Sequence, residues 1–188
     1  FGQNLKYRGS LGTAIVRVFE LTAASTGCSE KLLARNDALS QSVYLHPGSH
    51  AGYYPGASPI ALKLTFQPES GRVLGAQAVG RDGVDKRIDV LATAIAAEMT
   101  VEDLTDLELC YAPPFGSAKD PVNLAGMVAQ NVMRGLVRCA SPVHPPDDDS
   151  LLYLDVRSAG ERDKGAIDSS LHIPLDELRR VPGADVRG

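Results

Sequence analysis

Two strand-forming segments near the middle of the chain, joined by a four-residue turn, limit its fold more than any other feature. The segments are ALKLTFQ (61–67) and RVLGAQAV (72–79), and the turn is PESG (68–71). Proline, serine and glycine favour turns, and a connection this short joins antiparallel strands, because a parallel crossover needs about a dozen residues or more. The sequence therefore predicts a β-hairpin and, around it, an antiparallel sheet.

Two further segments are candidates for strands of the same sheet. Residues 11–21 (LGTAIVRVFEL) alternate apolar and polar side chains, as expected of a half-buried strand. Residues 42–45 (SVYL) form a short strand ended by HPG (46–48). Between the two segments, Ser29 is placed to cap a short helix. The SHAGYYPGASP segment (49–59) is too rich in turn residues for regular structure, so we expect a loop there.

Three segments later in the chain have helical patterns. The first begins after Asp82 or Gly83, and its apolar face consists of Val84, Ile88, Leu91, Ile95 and Met99. A short second helix is predicted over residues 101–109. Asp120 followed by Pro121 marks the start of a third helix. The apolar face of this third helix consists of Ala125, Val128, Val132 and Leu136.

A proline- and aspartate-rich segment, CASPVHPPDDDS (139–150), disfavours helix and strand, and we interpret it as a linker. Net charge changes at the same place: residues 1–138 carry 13 basic and 13 acidic side chains, whereas residues 139–188 carry 6 and 10. The order strand, helix, strand, helix in residues 151–188 predicts an α/β segment with parallel strands. The predicted fold class is α+β, a small antiparallel sheet with packed helices followed by a truncated α/β segment.

Composition excludes several classes of protein and partner. A net charge of −4 provides no basic surface for nucleic acid or an anionic membrane. No apolar run approaches the roughly 20 residues of a membrane span, and no signal sequence opens the chain. Three cysteines without a CxxC pair fit a reducing, cytoplasmic compartment. Because the chain opens on Phe1 instead of Met and ends at Gly188 within an unfinished motif, we expect a fragment of a longer protein.

Histidines, cysteines and aspartates are weak candidates for chemistry. His46 and His50 have the spacing of a helical zinc pair, but Pro47 and Gly48 between them exclude a helix, and we expect no metal. Asp147–Asp149 are expected to be solvated linker charge. The cysteines lack a CxxC context that would mark a depressed thiol pKa, and we interpret them as passive. They are Cys28, Cys110 and Cys139.

Tyrosines in the two irregular segments are better candidates. Tyr53 and Tyr54 lie in the Gly/Pro-rich loop, and Tyr111 opens a second irregular segment that carries Pro113 and Pro114. A phenol on a rigid loop both donates and accepts hydrogen bonds, and it can stabilise or protonate a leaving thiolate. The residues alone leave this role open against simple packing of the rings.

Three long segments indicate a role for these tyrosines, because together they resemble a known family. They are HPGSHAGYYPGASPIALKL (46–64), GRVLGAQAVGRDGVDKRIDVLATAI (71–95) and LELCYAPPFGSAKDPVNLAGMVAQN (107–131). They resemble the C-terminal dimerisation domain of the FAD-dependent pyridine nucleotide-disulfide oxidoreductases, above all coenzyme A-disulfide reductases, NADH oxidases and persulfide reductases. The resemblance covers roughly residues 7–136 and implies a small antiparallel sheet with packed helices. We therefore assign residues 1–138 to this domain.

The resemblance also implies which functions belong to this domain and which belong to other domains of the protein. FAD, NAD(P)H and the redox-active cysteine belong to domains that precede this chain, and this domain forms a homodimer that completes the partner's active site. Tyr53 and Tyr111 stand at family positions whose phenols face the partner's cysteine and a coenzyme A disulfide or persulfide. Their implied catalytic role is to stabilise and protonate the released thiolate. The residues implied to lie near the partner's flavin are Ala112, Pro113, Pro114 and Phe115.

The segment 151–188 resembles the beginning of a rhodanese domain. The positions that match the opening motifs of that family are Asp155, Val156, Arg157, Glu161, Gly165, Ile167, Ile173 and Pro174. Ala166 departs from the pattern, because the family has a histidine there. The family's persulfide-forming cysteine would come after Gly188, so we expect no sulfur transfer by this chain alone.

These resemblances lead to a main hypothesis and two alternatives. The main hypothesis is a flavoprotein that uses NAD(P)H to reduce coenzyme A disulfide or persulfide, fused to a rhodanese, with the fragment inactive by itself. One alternative is an NADH oxidase that reduces oxygen, which the retention of Tyr53 and Tyr111 disfavours. The other is a purely structural homodimerisation module.

Overall fold

The chain divides into two compact units, residues 1–141 and residues 142–188. The computed structural model describes residues 7, 9–141, 151–178 and 180. Of the predicted linker (139–150), only the part up to residue 141 is described, and it has no regular structure. The rest of the linker, with Asp147–Asp149, lies outside the described residues, as does the end of the predicted rhodanese segment from residue 181 onward.

The first unit is built on a five-stranded antiparallel sheet, which confirms the predicted α+β fold class. The strands are β1 (Ala14–Val18), β2 (Leu21–Gly27), β3 (Gln41–Leu45), β4 (Ile60–Phe66) and β5 (Val73–Gly80). The predicted hairpin, β4 and β5, lies inside the sheet, with Ile60 opposite Gly80. Neighbours in the sheet follow the order β1-β2-β5-β4-β3, so β1 and β3 form the two edges.

The prediction of a single strand over residues 11–21 is wrong, because this segment contains the turn of a second hairpin. β1 ends at Val18 directly opposite Leu21, the first residue of β2, so Phe19 and Glu20 form a two-residue loop. Phe19 has a φ of 53°, in the left-handed region that such loops use. Neither loop residue is Gly, Asn or Asp, so the usual sequence signal of a tight turn is absent.

The described part of the first unit has four helices, and their predicted starting points are confirmed. They are α1 (Glu30–Arg35), α2 (Val84–Ala96), α3 (Val101–Asp106) and α4 (Pro121–Met133). The Leu32 N–H donates to Ser29 Oγ at 3.2 Å, and the Asp120 side chain caps α4 in the same way. Gly83, with a φ of 70°, precedes α2. None of the described helices has the length and apolar character to cross a membrane.

Three of the predicted helices end earlier than their apolar patterns. α3 ends at Asp106 instead of residue 109. α4 ends before Leu136, because Gly135 adopts a left-handed φ of 69° and turns the chain away. Leu136 is therefore exposed and does not lie on the apolar face of the helix. Met99 falls beyond the end of α2, although it still packs against the core as its spacing predicts.

The hydrophobic core of the first unit lies between one face of the sheet and the helices. α2 packs over β2 and β5, while α4 packs against α3, β3 and β4. Alternation along β4 buries every second side chain against the helices, and these residues are Ile60, Leu62, Leu64 and Phe66. Gly126 on α4 lies so close to α3 that an added Cβ would be 2.7 Å from the Val101 carbonyl oxygen. This packing fixes the beginnings of α2 and α4, which carry part of the candidate site.

The opposite face of the sheet leaves apolar side chains exposed. The register aligns Val16, Ala23 and Val79 across β1, β2 and β5. Val16 is 55% exposed and Val79 42% exposed, and Phe19 in the adjoining turn is 94% exposed. These side chains form a surface that is available for packing against another polypeptide.

The second unit contains a small parallel pair of strands, as predicted. β6 (Leu154–Asp155) pairs with β7 (Leu171–His172), and each strand is followed by a short helix, α5 (Ala159–Arg162) and α6 (Leu175–Leu178). Arg157 Nη2 contacts Asp155 Oδ2 at 2.8 Å, and Arg162 Nη1 contacts the same oxygen at 3.2 Å. The hydrogen bonds from Arg157 hold the pKa of Asp155 well below its ordinary range. An ionised Asp155 thus ties the first strand of this unit to the turn and helix that follow it.

Candidate functional site

A loop of residues 46–59, here called the tyrosine loop, joins β3 to β4 and carries Tyr53 at its outer end. The Ser49 N–H donates to the Ser58 carbonyl oxygen at 2.8 Å, which closes the base of the loop. Nearer the outer end, the Tyr54 N–H donates to the Ala51 carbonyl oxygen at 2.9 Å and forms a tight turn around Tyr53. The loop is irregular, as predicted, but its backbone hydrogen bonds give it a defined shape.

Residues 110–120, here called the proline loop, form most of the connection between α3 and α4 and begin with Cys110 and Tyr111. The Phe115 N–H donates to the Ala112 carbonyl oxygen at 2.8 Å, so the two prolines lie inside a turn. The residues predicted to lie near a partner's flavin are Ala112 and Pro113, which are half-buried, and Pro114 and Phe115, which are exposed.

The two loops are joined by their backbones, and this junction brings the two predicted tyrosines together. The Ala51 N–H lies 3.0 Å from the Gly116 carbonyl oxygen and 3.3 Å from that of Pro113, and it donates to both. The hydroxyl oxygens of Tyr53 and Tyr111 are consequently 2.9 Å apart, although 58 positions separate them in sequence. The structure thus places the two phenols as one hydrogen-bonded pair.

The phenol pair is accessible to solvent. Tyr53 is 76% exposed and Tyr111 is 50% exposed, so a large ligand can reach both hydroxyls. The hydrogen bond with Tyr111 raises the pKa of Tyr53 above its ordinary value of 10.0, with a smaller contribution from partial burial. A raised pKa favours the protonated Tyr53 hydroxyl, which can donate a hydrogen bond.

The histidines and cysteines, for which the sequence predicts no chemical role, are not part of this pair. His50 is buried with its ring edge-on to Tyr54, at 5.7 Å between centroids, whereas His46 is exposed. Among the described residues, no three His, Cys, Asp or Glu side chains are grouped as a metal site. Cys28, Cys110 and Cys139 are free thiols, and burial raises the pKa of Cys139, the opposite of the shift that activates a nucleophile.

Sequence reasoning missed an ion pair that lies beneath the two loops. Arg87 on α2 is 1% exposed, and its Nη2 contacts Asp120 Oδ2 at 2.8 Å. The sequence identified Asp120 only as a helix cap and gave Arg87 no role. A signal was present, because a basic residue falls between Val84 and Leu91 on the apolar face of a predicted helix, next to Ile88.

Comparisons with known proteins identify relatives with stated activities. Coenzyme A disulfide reductase of Staphylococcus haemolyticus is 44% identical over 130 residues, which are 69% of this chain and 29% of the relative. The match to the crystal structure of reduced Bacillus anthracis CoADR-RHD covers 93% of this chain and 32% of the Bacillus anthracis chain, with a TM-score of 0.85 and 49% identity. The match to the structure of an NAD-dependent persulfide reductase from A. fulgidus covers 97% of this chain and 33% of the A. fulgidus chain, with a TM-score of 0.86 and 40% identity.

The family comparison agrees with the fold and with these relatives. The chain spans about a third of the length of the proteins that it matches, at 29% to 33%. The model of the pyridine nucleotide-disulphide oxidoreductase dimerisation domain matches residues 13–121, which include all five strands of the first unit and both tyrosines. With more than half of its residues inside that match, the chain belongs to the pyridine nucleotide-disulphide oxidoreductase dimerisation-domain family.

Proposed function

We propose that this chain is part of a longer FAD-dependent NAD(P)H oxidoreductase that reduces coenzyme A disulfide or persulfide. In this proposal Tyr53 and Tyr111 form the chain's contribution to the active site of the partner subunit. The observation that carries the proposal is the exposed phenol pair, with 2.9 Å between its hydroxyl oxygens. The names of the relatives, a coenzyme A disulfide reductase and a persulfide reductase, support the class of substrate.

The phenol pair suits the departure of a thiolate. Two-electron reduction of a disulfide breaks the S–S bond and gives two thiols after uptake of two protons; a persulfide gives one thiol and hydrogen sulfide. Each departing sulfur first carries a negative charge, which a hydrogen-bond donor stabilises. Either hydroxyl can donate within the pair, and in this proposal Tyr53 donates to the Tyr111 oxygen. The Tyr111 hydrogen then remains free to point at the substrate sulfur.

The cofactors would be held mainly by residues outside this chain. FAD, when bound, supplies the electrons that NAD(P)H delivers. The part of this chain proposed to lie beside the partner's flavin is the turn from Ala112 to Phe115, which has no charged side chain and exposes one aromatic ring, that of Phe115. An apolar turn of this kind fits a position next to a flat, largely apolar ring system.

The proposed active site needs two copies of the chain, so the protein is expected to be a homodimer. Membership of a dimerisation-domain family and the exposed apolar side chains on the outer sheet face both support this. Sedimentation velocity of the 188-residue chain across a micromolar concentration range should show a two-chain species. A monomer persisting at tens of micromolar would contradict the expected assembly.

We also propose that residues 151–188 are the beginning of a rhodanese domain. The first unit ends at residue 141, three quarters of the way along the chain, whereas the Bacillus anthracis and A. fulgidus structures cover 93% and 97% of it. Their similarity therefore continues into the second unit. A fused domain for sulfur transfer favours sulfur substrates over oxygen for the whole protein.

The substrate is tested by turnover of the full-length protein with three acceptors in parallel. NAD(P)H oxidation is followed with coenzyme A disulfide, with coenzyme A persulfide and with oxygen alone, and released thiol is measured in each case. The proposal expects thiol release that accounts for the NAD(P)H consumed. Oxygen consumption without thiol release identifies the NADH oxidase alternative, and no turnover with any acceptor leaves the structural homodimerisation module.

A further inference from the structure

A buried guanidinium is bonded to both loops of the site. Arg87 Nη2 donates to the Ser49 carbonyl oxygen, at the base of the tyrosine loop, over 2.9 Å. The same nitrogen donates to Asp120 Oδ2, at the end of the proline loop, over 2.8 Å. Arg87 Nη1 also donates to the Gly83 carbonyl oxygen at 3.1 Å, which anchors the side chain to its own helix. One side chain of α2 therefore connects the two segments that carry the phenols.

The acidic partner of this guanidinium is itself held in place. The Asp120 N–H donates to Asn123 Oδ1 at 3.1 Å, and Arg87 Nε donates to Asp120 Oδ1 at 3.3 Å. Asn123 Nδ2 in turn donates to the carbonyl oxygens of Leu104 and Leu107, each at 3.0 Å. These bonds fix Asp120 against α3 and α4, so it provides a rigid anchor for the guanidinium.

The guanidinium lies directly beneath the junction of the two loops. A Cβ added to Gly116, whose carbonyl oxygen accepts from Ala51, would lie 3.8 Å from Asp120 Oδ2 and 4.0 Å from Arg87 Nη2. Tyr53 follows Ala51 by two positions in the tyrosine loop. A displacement of the guanidinium is therefore passed to the backbone contact that sets the position of Tyr53 relative to Tyr111.

Charge alone does not explain this arrangement. Lys86 Nζ lies 3.7 Å from Asp120 Oδ2 but makes no hydrogen bond to the residues that the structure describes. The planar guanidinium of Arg87 has five N–H donors in a fixed geometry and serves a carbonyl and a carboxylate at once. A lysine at position 87 would keep the charge but could not reproduce that geometry.

We propose that Arg87 is a positioning residue that keeps the Tyr53 and Tyr111 hydroxyls within hydrogen-bonding distance of each other. The inference rests on the proposed function for its catalytic consequence, since Arg87 does not touch the substrate site itself. Displacing a catalytic group by about 1 Å can cost roughly 100-fold in rate. Arg87 thus acts on the reaction through the phenol pair.

The first test measures the phenol pair without any turnover. Tyrosine ¹³Cζ shifts are followed against pH in the 188-residue chain for the wild type, for Arg87→Lys and for the exposed control Arg72→Lys. Tyr53→Phe assigns the Tyr53 resonance. Arg87→Lys is expected to lower the pKa of Tyr53 toward the ordinary tyrosine value, and Arg72→Lys is expected to leave it raised. A folded Arg87→Lys chain with an unchanged Tyr53 titration would overturn the inference.

The second test follows the reaction of the full-length protein. Arg87→Lys is expected to reduce kcat for the sulfur substrate by up to about tenfold, the loss expected when the Tyr53 hydrogen bond is removed, and to leave flavin reduction by NAD(P)H unchanged. Added to Tyr53→Phe, the same substitution is expected to cost little more, because both act through one hydrogen bond. Losses that multiply in the double variant would contradict a role through the phenols.

A second variant and a readout without turnover cover the cases in which Arg87→Lys does not fold or the full-length protein is inactive. If Arg87→Lys does not fold, Asp120→Asn replaces it, since the amide oxygen retains an acceptor for the start of α4 while the charge partner of Arg87 is lost. The same outcomes are then expected and the same ones overturn the inference. If the full-length protein reduces no sulfur substrate, the proposed function fails, yet the Tyr53 titration still decides whether Arg87 positions the phenols.

Discussion

Tyr111→Phe in the full-length protein is expected to slow reduction of the sulfur substrate roughly 100-fold while flavin reduction by NAD(P)H continues at its normal rate. The substitution removes the hydroxyl that we propose donates to the departing thiolate, and it leaves the aromatic ring in the proline loop. Donation by a positioned group in the transition state contributes at least about 100-fold in many enzymes. Stopped-flow absorbance separates the two half-reactions, because the flavin and the nicotinamide absorb at different wavelengths.

Tyr53→Phe is expected to have a smaller effect in the same experiment, about tenfold, the equivalent of one hydrogen bond. In the proposed arrangement Tyr53 donates to Tyr111 and orients it, so the loss of the Tyr53 hydroxyl removes the orientation but not the donor to the substrate. The double variant should resemble Tyr111→Phe, because Tyr53 has no partner left to orient. A larger loss from Tyr53→Phe than from Tyr111→Phe would mean that Tyr53 donates to the substrate and Tyr111 orients it.

Tyr44→Phe provides a matched control for both substitutions. Tyr44 lies on β3, and its hydroxyl donates to Glu30 at 3.4 Å, not to another phenol. This variant is expected to keep the wild-type rate for both half-reactions. If all three variants retain wild-type substrate reduction, the phenol pair is a packing feature and its catalytic role is excluded.

The parts of the fold that the sequence predicted correctly have strong local signals. The PESG turn between β4 and β5 and the caps at Ser29 and Asp120 all appear where local chemistry placed them. The turn at Phe19 and Glu20 was missed because its left-handed backbone comes from the pairing of β1 with β2, not from the turn residues. Strand pairing can impose such a conformation on residues that do not favour it.

In the candidate site, too, single residues could be identified from the sequence, but the contacts between distant residues could not. Tyr53 and Tyr111 were singled out by their loops and by family resemblance, but their contact depends on how the sheet and α4 pack. Arg87 could have been suspected from its position on an apolar helical face, because a buried charge requires a partner. Its partner, Asp120, is 33 positions away, so only the folded structure identifies the pair.

Asp120→Ser is expected to lower the free energy of unfolding of the first unit by about 3 kcal/mol. Serine retains a side-chain oxygen that can cap α4, so the loss is not due to the missing cap. It arises because Arg87, which is 1% exposed, would be left as a buried charge with no ionic partner at hydrogen-bonding distance. Urea unfolding of the 188-residue chain, followed by circular dichroism, measures the difference.

The double variant Asp120→Ser with Arg87→Met separates this cause from general damage to the loops. Methionine fills a similar volume without charge, and replacing both members of a buried ion pair by uncharged residues is often close to neutral. The double variant should therefore recover most of the stability that Asp120→Ser loses. The exposed pair of Arg72 and Glu98 serves as the control, and Glu98→Gln should change the free energy of unfolding by less than about 1 kcal/mol. A double variant no more stable than Asp120→Ser would mean that the loss comes from the loop backbone and not from the unpaired guanidinium.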